Sequence, residues 1–211
     1  KQLHEGLNKV IELAHAYNNW FIPEFIESSL LSISKLVHTD SLSHFANDVT
    51  VTPTKTVAVI CAGNIPMVCF HDILCVLLSG HTLLLKLSDD DKILPPFFLK
   101  LLVHYEPLFE SSILFSPAKL ANFDAVIATG SNNTASHFHY YFSKYPNIIR
   151  KNRTSVAVLK GNETIEDLKN LGKDIFQYFG LGCRSVNKLL VPNNYSFNQF
   201  FESIIDFGFV V

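Results

Sequence analysis

The sequence predicts a doubly wound α/β fold, in which helices cover both faces of a parallel sheet. Short apolar runs without alternation, typical of strands buried on both faces, recur along the chain with helical segments between them. Strands that alternate with helices connect by right-handed crossovers and form a parallel sheet. The chain has 211 residues, 48% of them hydrophobic, which suits one large domain or two unequal ones.

Two helices are predicted ahead of the sheet. Residues 3–17 carry apolar side chains at helical spacing, and Pro23 starts a second helix with its own apolar face. The polar, turn-rich stretch 39–54 is interpreted as a linker or capping segment. We therefore assign residues 1–55 to an N-terminal helical segment.

The sheet is predicted to begin at residue 56. Four strands are expected, at 57–62, 82–87, 113–115 and 125–128. One connecting helix closes at Ser79-Gly80-His81 as a C-cap. The next, around 92–104, has its N-cap region at 88–91, and a third runs from the end of the fourth strand to about Ser143. These elements define an α/β domain at 56–153.

A further strand–helix unit follows. A strand from 156 to 159 leads into a helix at about 164–179. The turn 180–184 then precedes a strand at 188–192. We expect residues 154–211 to form part of a second domain.

Composition argues against several classes of protein. The net charge is -2 with acidic and basic residues mixed along the chain, so neither nucleic acid nor an anionic membrane is expected as a partner. The most apolar stretch, 65–87, contains Asp72 and Lys86, which are costly inside a bilayer. It is predicted to be a buried helix and strand, with no membrane span. The N-terminus shows no signal-peptide pattern, and the four cysteines form no CxxC pair, which favours reduced thiols and a cytoplasmic location.

Unusual residues follow three of the strands, and ligands of open α/β sheets bind beyond the carboxyl ends of strands. Gly130 allows a tight turn, and Ser131 places a hydroxyl and free amides at a helix N-terminus, which suits a phosphate. An ordinary Ser-capped turn has the same sequence. Lys86 either donates to a ribose or phosphate or extends its ammonium group to solvent. The GxGxxG fingerprint is absent.

Cys183 differs from the other cysteines. Gly180 and Gly182 precede it and permit close approach of a substrate, and the cation of Arg184 and the amides of a turn favour a thiolate. A small residue in a tight turn is the alternative. The other three cysteines lie in apolar segments and are interpreted as core residues.

No metal site is predicted. His137 and His139 are two residues apart and point to different faces of a helix, and His71 and His81 lack partners at ligand spacing. The GxSxG motif, which forms the nucleophile elbow of many serine hydrolases, is also absent.

In this order, the strand ends and the Gly-rich cysteine turn resemble the aldehyde-dehydrogenase superfamily. The closer resemblance is to the acyl-CoA reductases related to the fatty-acid reductase of bacterial bioluminescence. It spans about 56–192 and rests on AGNIP (62–66), SGH (79–81), LKLS (85–88), FDAVIATGSNNT (123–134), IRKNRTSVAVL (149–159) and FGLGCR (179–184).

The resemblance implies a cofactor site in the α/β domain at 56–153 and identifies it as a dinucleotide-binding domain. Lys86 and Ser88 match the adenosine-ribose side of the family's site. Gly130 and Ser131 match the turn that faces the pyrophosphate. The implied cofactor is NADPH or NADH.

The resemblance also implies a reaction. Cys183 matches the family's nucleophile, and Asn64 matches the residue whose amide forms the oxyanion hole with the cysteine backbone N–H. Hydrolytic aldehyde dehydrogenases carry a Glu within the segment aligned with 150–155 that activates water. This segment has no carboxylate, so a thioester intermediate should react slowly with water.

The predicted function is therefore NAD(P)H-dependent reduction of a long-chain acyl-CoA to an aldehyde and CoA. Two alternatives stay open: a CoA-independent aldehyde dehydrogenase, and a nucleotide-binding module without catalysis. The C-terminal part of the family's catalytic domain, which contributes to subunit contacts, is expected to lie outside residues 154–211, and a homo-oligomer is expected.

Overall fold

The computed structural model describes residues 2–47, 49–50, 52–116 and 119–210. The chain divides into two compact units, Lys1–Lys151 and Asn152–Val211.

The first unit opens with three helices, α1 (Gln2–Tyr17), α2 (Pro23–Leu36) and α3 (Thr39–Asn47). Pro23 occupies the first position of α2, where its missing N–H costs nothing. Buried side chains of α1 and α2 share one cluster with the segments that follow β1 and β2: Ile11, Ala14, Phe21, Ile26, Met67 and Leu94. The N-terminal helices therefore belong to the first unit's core.

The linker predicted for 39–54 is wrong in its first half, because residues 39–47 form α3. Leu42 and Phe45 are three residues apart on this helix and share one face. They line a small apolar crevice together with Leu74 and Leu78 of the helix Phe70–Leu78. This tertiary contact compensates for the polar composition that suggested a linker.

Five parallel strands form the sheet of the first unit. They are β1 (Thr56–Ile60), β2 (Thr82–Lys86), β3 (Ile113–Phe115), β4 (Ala125–Thr129) and β5 (Asn147–Arg150). Their spatial order is β3-β2-β1-β4-β5. The central residues of β1 and β2 are buried, as their unbroken apolar sequences predict.

Helices cover both faces of this sheet. On one face, α4 (Phe70–Leu78) and α5 (Leu94–Tyr105) pack on the alternate residues Val57, Val59, Leu83 and Leu85. On the other face, α6 (Asn132–Phe142) packs on Ala58, Leu84, Val126 and Ala128. The doubly wound α/β prediction is confirmed.

Two details of the sheet differ from prediction. β5 is an edge strand of four residues and was not predicted. The helix predicted to start around 92 begins at Leu94, and its N-cap residue, Ile93, makes no side-chain cap; of the N-cap region predicted at 88–91, Asp91 does accept the Leu94 N–H. Two prolines follow Leu94 in the first turn of α5, where backbone N–H groups have no helical acceptor.

The second unit contains β6 (Ser155–Val158), α7 (Ile165–Phe176), β7 (Val186–Leu190) and α8 (Asn198–Ser203). β6 and β7 are parallel neighbours, and one face of the pair packs with α7 and α8 through Leu159, Leu168, Leu171 and Phe200. α8 was not predicted. The helix predicted to reach 179 ends at Phe176 because Tyr178 and Phe179 have positive φ angles.

Thr164 fixes the start of α7. Its hydroxyl accepts the Asp167 N–H at 3.1 Å, and the Asp167 carboxylate accepts the Thr164 N–H at 2.9 Å. This reciprocal capping box satisfies two backbone donors.

The apolar stretch 65–87 forms α4 and β2. Among the residues described, no helix is both long and apolar enough to cross a membrane.

Candidate active and cofactor site

The turn that contains Asn64 lies at the carboxyl edge of the sheet, beside the segment that contains Ser88. The Cys61 N–H donates to the Lys86 carbonyl at 3.0 Å and extends the pairing of β1 with β2. Gly63 is buried, and a Cβ there would lie 2.8 Å from the Cβ atoms of Ser88 and Asp90. Only glycine allows so close an approach. The structure thus brings the Asn64 and Ser88 segments together.

Hydrogen bonds from neighbouring elements fix this turn. The Ser29 hydroxyl of α2 donates to the Pro66 carbonyl at 2.7 Å. Met67 has a positive φ of 57°, and its N–H donates to the Asp91 carboxylate at 2.8 Å. Asn64 itself is half-buried. The segment that follows Asn64 is therefore held by α2 through Pro66 and by Asp91 through Met67.

Asp91 is a positioning residue that the sequence did not reveal. It is the buried member of an Asp-Asp-Asp run, with 3% of its surface exposed. Burial raises the pKa of its carboxyl to about 6, although the backbone amides of Met67 and Leu94 oppose that change. Its Oδ1 atom has no hydrogen-bond partner among the residues described. A run of three acidic residues gives no sign of which one faces inward.

Lys86 ends β2 and lines a pocket of the first unit that is about 700 Å³ in volume. The other walls are mainly aromatic and come from α6 and the segment before β4, including Phe123, Phe138 and Tyr141. Lys119 also contributes to the lining. The pocket therefore combines flat apolar surfaces with two cations.

The turn Gly130-Ser131 connects β4 to α6. The Ser131 hydroxyl accepts the Thr134 N–H at 3.2 Å and caps the helix. A Cβ at Gly130 would lie 2.9 Å from the Thr134 side chain and 3.2 Å from Phe138, so glycine is required by packing. The Gly130 N–H donates to the Arg150 carbonyl at 3.1 Å. Ser131 therefore caps the start of α6, and side chains of α6 also line the pocket beside Lys86.

Arg150 and Asp72 form an ion pair that the sequence did not indicate. The Arg150 Nη1 atom lies 2.6 Å from both carboxylate oxygens of Asp72. The Asp72 side chain is 10% exposed and that of Arg150 is 36% exposed. The two residues are 78 positions apart, so no local pattern could pair them.

Cys183 lies in the second unit, in the turn just before β7. Of the four cysteines, Cys61 and Cys69 are buried, Cys75 is intermediate, and Cys183 alone is exposed. Burial raises the pKa of the Cys75 thiol. This distribution agrees with a core role for the first two and an accessible thiol at 183.

The backbone before Cys183 has an unusual conformation. Tyr178, Phe179 and Gly180 all have positive φ angles, of 55°, 54° and 67°. A Cβ at Gly182 would lie 2.9 Å from the Ser185 hydroxyl, and the Ser185 N–H donates to the Gly182 carbonyl at 3.0 Å. Left-handed non-glycine residues are strained and concentrate at functional sites.

Asn64, Lys86, Ser88, Gly130 and Ser131 all belong to the first unit, at the carboxyl ends of β1, β2 and β4. Cys183 belongs to the second unit. Within the residues described, no group of three or more His, Cys, Asp or Glu side chains is arranged to hold a metal ion.

Solved structures share this fold. A protein of Anabaena variabilis assigned as the aldehyde dehydrogenase PutA has a TM-score of 0.74 and 16% identity over 97% of the chain. The aldehyde dehydrogenase of Mycobacterium tuberculosis, solved with NAD+, has a TM-score of 0.62 and 16% identity over 80% of the chain. The chain spans 48% and 40% of these two proteins, or about half their length at most. The fold is that of an aldehyde dehydrogenase, present in part.

The family model of the acyl-CoA reductase LuxC matches residues 14–205. The chain belongs to this family. No curated protein matches the sequence.

Proposed function

We propose that this protein reduces acyl-CoA to an aldehyde with NADPH or NADH, through a thioester on Cys183. The exposure of Cys183 in a strained Gly-rich turn, in a chain of the acyl-CoA reductase family, carries the proposal.

The reaction divides into two parts. The Cys183 thiolate attacks the acyl carbonyl, and the CoA thiolate leaves, so that the acyl group passes to Cys183 as a thioester. Reduction then gives a thiohemiacetal, whose C–S bond breaks to release the aldehyde and return the thiolate. In both parts the Asn64 amide and the Cys183 N–H are proposed to hold the negative charge that develops on the carbonyl oxygen.

The pocket beside Lys86 fits the adenosine part of a nicotinamide cofactor. Phe138 and Tyr141 offer aromatic surfaces for a base, and Lys86 offers a cation for the ribose or a phosphate. Gly130 and Ser131, which open α6, are proposed to face the pyrophosphate. When bound, the cofactor would supply the hydride.

The acidic run next to Ser88 does not exclude NADPH. Asp91 is buried beneath Met67. Asp89 forms an ion pair with Lys92 at 2.5 Å, and that hydrogen bond lowers the pKa of Asp89. Two of the three carboxylates are therefore engaged, which reduces their repulsion of a 2′-phosphate.

The segment 150–155 supports exchange of the acyl group between Cys183 and CoA over its hydrolysis by water. It contains no carboxylate, and the guanidinium of Arg150, which cannot act as a base at neutral pH, pairs with Asp72. Without a general base, water attacks a thioester slowly.

The test is acyl-CoA-dependent loss of NAD(P)H absorbance, measured with wild type, Cys183→Ala and the control Cys75→Ala. The proposal predicts that Cys183→Ala abolishes the loss and Cys75→Ala retains it. Equal rates for wild type and Cys183→Ala would exclude the nucleophile. Reduction of NAD(P)+ by an aldehyde without CoA would instead indicate an aldehyde dehydrogenase.

The second candidate is a nucleotide-binding module without catalysis. The favouring observation is that the candidate cofactor residues all lie in the first unit, whereas Cys183 lies in the second. This candidate predicts cofactor binding by calorimetry with no acylation of Cys183. A cytoplasmic location and a homo-oligomer remain predictions.

A further inference from the structure

We infer that Asp72 is a positioning residue for the cofactor turn and acts through Arg150. The inference rests on the proposed function, because that function gives the turn Gly130-Ser131 its contact with the cofactor.

The first step is the anchor. Asp72 lies in the first turn of α4, where the helix dipole favours a negative charge. It is buried, and both of its carboxylate oxygens contact one nitrogen of Arg150. His71, the neighbouring residue on α4, also lies 3.6 Å from this carboxylate. Asp72 therefore holds Arg150 against α4.

The second step is the link from Arg150 to the turn. Arg150 is the last residue of β5 and lies opposite Thr129, the last residue of β4. Its carbonyl accepts the Gly130 N–H at 3.1 Å, which continues the pairing of the two strands into the turn. A movement of Arg150 therefore moves the backbone of Gly130.

The third step is that the turn Gly130-Ser131 is packed too closely to move without disturbing its neighbours. Gly130 packs so closely on Thr134 and Phe138 that a methyl group would not fit. Ser131 is tied to Thr134 by its cap. A displacement of Gly130 must then disturb the start of α6 and the position of Ser131, the residue that is proposed with Gly130 to face the pyrophosphate.

Stability alone does not account for the pair. An ion pair with a buried carboxylate is often no more stabilising than apolar side chains of similar size, and in some proteins such pairs fix geometry instead. The pair connects α4, on one face of the sheet, to the origin of α6, on the other. We therefore assign it to the geometry of the cofactor turn.

The test is a cycle of Asp72→Asn, Arg150→Met and the double variant, with NADPH affinity measured by cofactor fluorescence. Each single variant should raise the Kd about tenfold, and the double variant should match the single ones, because the residues act as one unit. Asp40→Asn, which removes an exposed carboxylate of α3, should leave the Kd unchanged. Asp72→Glu, which keeps the charge, should retain most of the affinity.

The outcomes separate this inference from the proposed function. If wild type binds neither NADPH nor NADH, both fail. If wild type binds and Asp72→Asn binds equally well, the inference alone fails. A melting temperature that falls while the Kd of the folded protein is unchanged indicates a merely structural pair and also overturns the inference.

A far greater loss of affinity in Arg150→Met than in Asp72→Asn would mean that Arg150 contacts the cofactor itself, which contradicts the role given to Asp72. Arg150→Lys, the mildest change, provides the test if Asp72→Asn does not fold, with a loss of about threefold expected.

Discussion

Gly63→Ala is expected to destabilise the first unit and to disturb the cofactor edge of the sheet. The new methyl carbon would lie 2.8 Å from the Cβ atoms of Ser88 and Asp90. Carbon atoms in contact prefer about 3.5 Å or more, so the segment must move by about 0.7 Å. Such overpacking costs about 2 kcal/mol. Because Ser88 moves, NADPH affinity should fall with stability.

Denaturant unfolding and NADPH titration measure the two effects. Gly6→Ala is the matched control, since Gly6 lies within α1 and a Cβ there meets nothing within 4 Å. That change should stabilise the protein by about 0.5–1 kcal/mol, because alanine favours helix more than glycine does. A Gly63→Ala protein as stable as wild type, with unchanged affinity, would refute the close approach of the Asn64 and Ser88 segments.

Three further changes test individual elements. The pKa of Asp91 is raised in the folded protein to about 6 from an ordinary 3.8. Between these pH values the unfolded chain loses its proton more readily, so stability present below about pH 4 is lost as the pH rises through about 6. Asp91→Asn should then remove this loss, so that its stability relative to wild type is about 3 kcal/mol greater above that pH than below about pH 4, and an equal difference from wild type at both pH values in urea titrations would argue against a buried carboxyl. Thr164→Ala removes the hydroxyl that accepts the Asp167 N–H, while the Thr164 N–H can still donate to the Asp167 carboxylate, and should cost about 1 kcal/mol in thermal unfolding followed by circular dichroism. Ser131→Ala removes the cap of α6 at a similar cost of about 1 kcal/mol and should weaken NADPH binding; unaltered unfolding would mean that the cap contributes nothing.

Strong local patterns made the centre of the sheet predictable from sequence. β1 and β2 are unbroken apolar runs, and strands buried on both faces need such runs. The carboxyl ends of adjacent parallel strands meet at one edge, so the approach of the Asn64 and Ser88 segments followed from the strand assignment. Cys183 also stood out locally, since no other cysteine has two glycines just before it and an arginine just after it.

Features that depend on distant contacts were not predictable. α3 has a mostly polar sequence, and its two large apolar residues, Leu42 and Phe45, are accounted for only by their place beside α4. β5 is too short to stand out from a turn. The Asp72–Arg150 pair joins residues 78 positions apart, and nothing in Tyr178-Phe179 signals positive φ angles. In each case the surrounding fold overrides a weak local preference.

Acylation of Cys183 is the most direct test of the proposed reaction. Intact mass spectrometry after incubation with a long-chain acyl-CoA should show one acyl group on wild type and on Cys75→Ala, and none on Cys183→Ala. Because the segment 150–155 has no carboxylate, the acyl group should persist in the absence of reduced cofactor and disappear when NADPH is added. Wild-type protein that remains unacylated, or Cys183→Ala that is acylated to the same extent, would contradict the account.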